Sequence, residues 1–157
     1  MKIEIIAEAA QGYEGDLTKA LLLAKGAAQA KADAVKFQLV YADEITTKGH
    51  KDYQIHDSLK MPFTHWQKLV DQVHGDGIRM YLDVFGARSF REAVKLKVDG
   101  VKIHTTDFLN HELVSKALNH FKRVYIAFGG VEVQELQMFI NRHQIENRSG
   151  VQFLYGF

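Results

Sequence analysis

Cysteine is absent from the 157 residues, which excludes disulfides, thiolate metal sites and cysteine nucleophiles. That agrees with a reducing compartment, and a cytoplasmic location is the expectation. An excess of either charge is missing too. The 20 Lys and Arg against 19 Asp and Glu leave a formal net charge of +1, too little for a general electrostatic grip on nucleic acid or anionic lipid. No partner of either kind is expected. There is no long hydrophobic run, because the apolar start, Met1 to Ala10, is short and broken by Glu4 and Glu8. It fails both as a signal peptide and as a membrane span. No Pro/Gly/Ser linker and no low-complexity tract divides the chain. What is present is 46% hydrophobic residues, enough at this length for one core and a single domain over residues 1–157.

Strand-like and helix-like segments alternate along the chain. Strands are expected at Ile3–Ala10, Ala34–Val40, Ile78–Phe85, Gly100–Thr105, Arg123–Phe128 and Val151–Tyr155. Between them, Asp16 can cap a helix with Leu17, Ala20, Leu21 and Ala24 on its apolar face. Thr64 precedes Trp66, Leu69, Val70 and Val73, the i, i+3, i+4, i+7 spacing of a buried helix face. Ser89 with Glu92 forms a capping-box pattern ahead of Ala93 and Val94. Leu113, Val114, Ala117 and Leu118 mark a fourth helix, and Leu136, Phe139 and Ile140 a fifth. The connection from Tyr41 to Pro62 is long enough to suggest a binding loop.

Strands alternating with helices imply a parallel sheet, either open or closed into a barrel. Central strands of a doubly wound sheet read as continuous apolar runs. Here they alternate instead. Val35, Phe37 and Leu39 oppose Lys36 and Gln38; Met80, Leu82 and Val84 oppose Tyr81 and Asp83; Val101 and Ile103 oppose Lys102 and His104. One apolar face and one face of charged and hydrogen-bonding groups describe helices outside a polar interior. The fold class is therefore an α/β, incomplete TIM-type (β/α) barrel of about six strands. A complete one needs eight strands and about 250 residues, so either the sequence is a piece of a longer protein or a partner completes it.

Ile5-Ile6-Ala7-Glu8, Gly15-Asp16 opening a helix, and above all Ala32-Asp33-Ala34-Val35-Lys36-Phe37-Gln38 resemble the sialic acid synthase family. That family also includes the legionaminate and pseudaminate synthases and the spore-coat polysaccharide protein. Val101-Lys102-Ile103 and the pair Gly129-Gly130 extend the likeness over nearly the whole chain. The resemblance implies a condensation of phosphoenolpyruvate with an N-acetylated sugar aldehyde, such as an N-acetylmannosamine, giving a nine-carbon keto acid and phosphate. It implies a homo-oligomer acting on these small molecules. It also implies a divalent metal, Mn or Mg, whose ligands fall on strands later than those seen here.

Residue by residue, the resemblance gives Glu8 as the catalytic carboxylate and Lys36 and Lys102 as lysines that meet the anionic substrate. Gln38 is the polar partner beside the first lysine, and Thr105 stands where a serine hydroxyl lies near phosphate. Asp83 takes the place of a hydroxyl at the end of the third strand, and Ala127 replaces another after the fifth. A carboxylate repels phosphate, so the activity is expected to be impaired. Read from the residues alone, two lysines, a glutamine and a glutamate on one inward face also describe a self-neutralising interior network. Asp83 equally fits an interior ion pair with Lys36, Lys102 or Arg79 and a substrate-binding role toward a cationic or hydroxyl-bearing ligand. A repurposed half-barrel that binds a small sugar or acid, or needs a partner subunit, is the alternative function. Of the eight histidines, His104 is expected inward, as a hydrogen-bonded core group or else as a replacement ligand or acid–base group. Most of the others are expected on the solvated surface.

Overall fold

A computed structural model describes residues 3–156; Met1, Lys2 and Phe157, part of the expected single domain, lie outside the described residues. Six strands form one parallel sheet in the order of the sequence: β1 (Ile6–Ala10), β2 (Ala34–Gln38), β3 (Arg79–Val84), β4 (Gly100–Ile103), β5 (Val124–Ala127) and β6 (Val151–Leu154). Each strand lies beside its predecessor, and the sheet curls into a half-barrel with helices around it. The principal helices are α1 (Leu17–Gln29), α4 (Phe63–Gly75), α5 (Ala87–Leu96), α6 (His111–His120) and α7 (Val133–His143). Two short ones, α2 (Ala42–Ile45) and α3 (Tyr53–Ser58), occupy the long connection after β2.

The alternation in the sequence becomes two separate apolar clusters. Outward side chains such as Val35, Phe37, Met80, Leu82, Val101 and Ile126 meet the helices in the main core. Inside the curl, Ala34, Tyr81 and Tyr125 pack together, with Ile6 and Leu154 against them. Below this inner layer, the Glu4 carboxylate accepts hydrogen bonds from the hydroxyls of Tyr81 at 2.6 Å and Tyr125 at 2.7 Å, and pairs with Arg79 at 2.7 Å. Burial raises both phenols, and the adjoining Glu4 adds to the effect, so the hydroxyls stay protonated donors.

Local departures from the sequence reading have identifiable causes. Strand β1 starts at Ile6 rather than Ile3, and Ile3 and Ile5 are 78% and 61% exposed. At a sheet edge, pairing on one side alone carries the segment. The backbone carbonyl of Ile5 accepts from Asp33 and Ala34, and its N–H donates to the Asp33 carboxylate. Ser89 does not begin its helix. Helix α5 starts at Ala87 behind Gly86, and the Ser89 hydroxyl accepts from the N–H groups of Phe85 and Gly86. Glu92 is turned to the Tyr41 hydroxyl instead. Asp16 does cap α1, accepting from Lys19 N–H at 2.8 Å. Gly15 ahead of it has φ +72°, and a Cβ there would lie 2.3 Å from the Ser58 carbonyl oxygen. The chain turns there only because no side chain is present.

Candidate functional site

The parallel register brings the polar side chains to one level. Gln38 stands beside Asp83, Asp83 beside Lys102, and Glu8 beside Lys36 on the neighbouring pair of strands. All point to the inner face, because residues two apart on a strand share a side. Lys36, one step below Asp83, reaches it at 2.8 Å. Lys102 reaches the other oxygen of the same carboxylate at 2.8 Å. Glu8 meets Lys36 from the edge strand at 2.5 Å. Asp83 has no exposed surface and Lys36 is 4% exposed, whereas half of the Glu8 side chain is open. Burial alone would push the Lys36 ammonium down, but Asp83 and Glu8 outweigh it and hold it above the ordinary lysine range.

Gln38 lies on the rim of this cluster. Its side-chain oxygen accepts from the Gln11 amide at 2.7 Å, and its backbone carbonyl accepts from the Tyr13 hydroxyl at 3.0 Å. Tyr13 is in turn buried edge-on against Phe37 and Trp66. The turn after β1 therefore fixes one wall of the site. Thr105 starts a short 3-10 turn, Thr105–Asp107, directly after β4. No hydrogen bond joins it to the lysine cluster among the described residues.

Beyond Lys102 the strand ends open into a concavity of about 320 Å³ lined by Glu44, Ile45, Phe85, His104, Thr106 and Asp107. His104 is half-buried, lies against the Phe85 ring and meets the Thr106 hydroxyl at 3.1 Å. Burial, helped by the Lys102 charge, lowers its pKa, which favours the neutral ring. Burial raises the Asp107 carboxyl, an effect the Asn110 side chain opposes. Glu44 accepts from the N–H groups of Arg88 and Ser89 and so caps α5 from a different segment of the chain. The Arg88 guanidinium lies 3.7 Å over the Tyr41 ring. The long connection is thus fastened over this end of the sheet.

Gln11, Glu44 and Asp107 were missed by sequence reasoning. Gln11 sits in a turn, Glu44 in the four-residue α2 and Asp107 in a three-residue 3-10 turn, all too short for a period to reveal a facing, and Glu44 reaches its partners across 44 and 45 positions. His143, expected among the solvated histidines, is 7% exposed. It is joined to His111 at 3.1 Å, because Phe139 one turn earlier carries that face of α7 into the core. No group of three or more His, Asp or Glu residues that could hold a metal occurs among the described residues. The cluster's own carboxylates are already turned to ammonium groups, so a divalent metal does not fit these side chains alone.

The NeuB family model matches residues 23–154. The pseudaminic acid synthase of Campylobacter jejuni serotype O:2 is 24% identical over 148 residues, covering 85% of this chain and 43% of that protein. An uncharacterized protein of Methanocaldococcus jannaschii is 25% identical over 132 residues, covering 84% and 39%. The chain therefore spans less than half the length of these curated relatives. Among solved structures, the N-acetylneuraminic acid synthetase of Leptospira borgpetersenii superposes with a TM-score of 0.87 at 22% identity, covering 98% of this chain and 54% of that one. The Bacillus subtilis spore coat polysaccharide biosynthesis protein superposes at 0.81, with 22% identity and coverage of 98% and 43%. Half-barrel, register and family match agree: the chain belongs to the NeuB family.

Proposed function

We propose that Glu8, Lys36, Gln38, Lys102 and Thr105 are this chain's share of a site that condenses phosphoenolpyruvate with an N-acetylated sugar aldehyde. The observation that carries this reading is a pair of lysines from two strands, converging at the C-terminal ends of a barrel-type sheet. Active sites of such folds lie at that end. Lys36 and Lys102 would attract the carboxylate and phosphate of one substrate. Glu8, half-exposed beside Lys36, would take or return a proton at a hydroxyl or at the attacking water. Gln38, held by Gln11, would orient a sugar oxygen. The resemblance calls for Mn or Mg as Lewis acid, but these residues form no cage for it, and no step here depends on one. A cytoplasmic homo-oligomer is part of the same reading.

For the 157-residue polypeptide alone, turnover is expected far below the ordinary enzyme value of about 10 per second. Phosphate release from phosphoenolpyruvate and N-acetylmannosamine, with manganese or magnesium present, measures this directly. Turnover at the ordinary value would show that the residues present suffice. A second reading, a repurposed site for a small sugar or acid, is supported by Asp83, whose two oxygens already fill the space between the lysines.

A further inference from the structure

The charges of the strand-end cluster cancel. Lys36 and Lys102 bring two positive charges, and Asp83 and Glu8 bring two negative ones. Asp83 is the centre of the arrangement, fully buried, with one oxygen on each ammonium. A carboxylate held in this way occupies the position that an oxygen pair of a bound phosphate would need in order to be shared between the two lysines.

An entering phosphoryl group could displace Asp83 or settle beside it, and both routes are obstructed. Asp83 lies within β3, paired with Gln38 on one side and Lys102 on the other, and its carbonyl accepts from Leu39 N–H at 3.0 Å. Its carboxylate can turn away only by giving up both ammonium groups while fully buried, which leaves charges uncompensated. Settling beside it places two anions together in a site with little water, where their repulsion is strong. Hydroxyl groups meet no such obstacle. Each ammonium has three donors; Lys36 spends two on Asp83 and Glu8, and Lys102 spends one on Asp83. The remaining donors, the Gln38 amide and the half-open Glu8 suit a ligand that offers hydroxyls and no net charge.

We propose that Asp83 is a built-in counter-anion that sets the specificity of this site, excluding phosphoryl groups in favour of an uncharged, hydroxyl-rich ligand. Its removal uncovers an anion site between Lys36 and Lys102. The inference rests on the second reading, a repurposed site for a small sugar, and stands against condensation of phosphoenolpyruvate at these lysines.

The test measures inorganic phosphate binding, by calorimetry and by thermal shift against chloride at matched ionic strength. The proteins are the wild-type chain, Asp83→Asn and Asp83→Ser. The wild-type chain is expected to show no phosphate-specific effect up to about 10 mM. Either variant should bind about tenfold tighter or better, and adding Lys102→Met should abolish the gain. Far-UV circular dichroism reports folding. Should neither variant fold, the wild-type measurement decides by itself: lysine-dependent phosphate binding overturns the proposal, and none supports it. Equal binding by wild type and variants, lost with Lys102→Met, would sink the role of Asp83 while leaving the cluster as a substrate site. Folded variants that bind no phosphate would overturn the inference, while the second reading stands or falls on binding of a neutral sugar by the wild-type chain.

Discussion

Lys36 and Lys102 share one acid but not one environment, and that difference predicts unequal costs. Lys36 has 5% of its side chain exposed and two carboxylate partners, whereas Lys102 has 15% exposed and one. Removing one member of a buried ion pair typically costs about 3–5 kcal/mol, because the other is left uncompensated. Lys36→Met should reach that range in urea unfolding, with Lys102→Met clearly below it. Equal losses would mean that Asp83 holds both ammonium groups in the same way. The facing of both lysines was legible in the sequence, since alternation over five residues of β2 and four of β4 leaves little choice of side. That Asp83 joins both was not, since Lys36, Lys102 and Arg79 were each candidates for an ion pair with it. Asp83 lies 47 positions from Lys36 and 19 from Lys102, and only the register of β3 against both neighbours puts one carboxylate between them.

At the scale of elements, two joints carry testable consequences. The first is the clamp between α2 and α5. Losing a side-chain cap typically costs about 0.5–2 kcal/mol, so Glu44→Gln should lower stability by about that much. Amide exchange should quicken at Arg88 and Ser89, whose N–H groups Glu44 accepts; unchanged protection there would show the cap to be dispensable. The sequence marked residues 41–62 as one long loop, because four- and six-residue helices are too short to leave a period. The second joint is that of α6 with α7, where His111 meets His143 and the Ser115 hydroxyl stands 3.5 Å away. Burial lowers both histidines, with His111, Arg142 and Arg148 adding to the effect at His143, and burial lowers His104 as well. A group with a depressed folded pKa binds fewer protons folded than unfolded, so stability falls as pH drops through the unfolded value of 6.5 toward the lower folded ones. Melting temperature should therefore decline between about pH 7 and about pH 5, and His143→Gln should flatten part of that slope. An identical slope in the variant would place the acid sensitivity elsewhere.

The half-barrel as a whole leaves β1 and β6 as the edges of its sheet. Their neighbourhoods are apolar: Ile3, Ile5 and Tyr155 are 78%, 61% and 65% exposed, and α7 presents Val133 and Met138 at 77% and 64%. Edge strands with open backbone groups and exposed apolar side chains are templates for pairing with another chain. Each polar backbone group left unpaired on burial costs about 1–3 kcal/mol, a large share of the roughly 5–15 kcal/mol that stabilises a domain. A two-fold arrangement joining the open sides of two copies would pair both edges at once. For the polypeptide of 157 residues prepared alone, the expected outcome is mass that rises with concentration in light scattering at micromolar protein. Ile5→Lys should weaken the association, since a charge on an edge opposes strand addition. Ile5 lies outside the strand-end cluster, so the same variant separates assembly from ligand binding. A monomer at every concentration, unfolding in one cooperative step, would mean that six strands and their helices form a self-sufficient fold. The exposed isoleucines would then be ordinary surface residues rather than half of an interface.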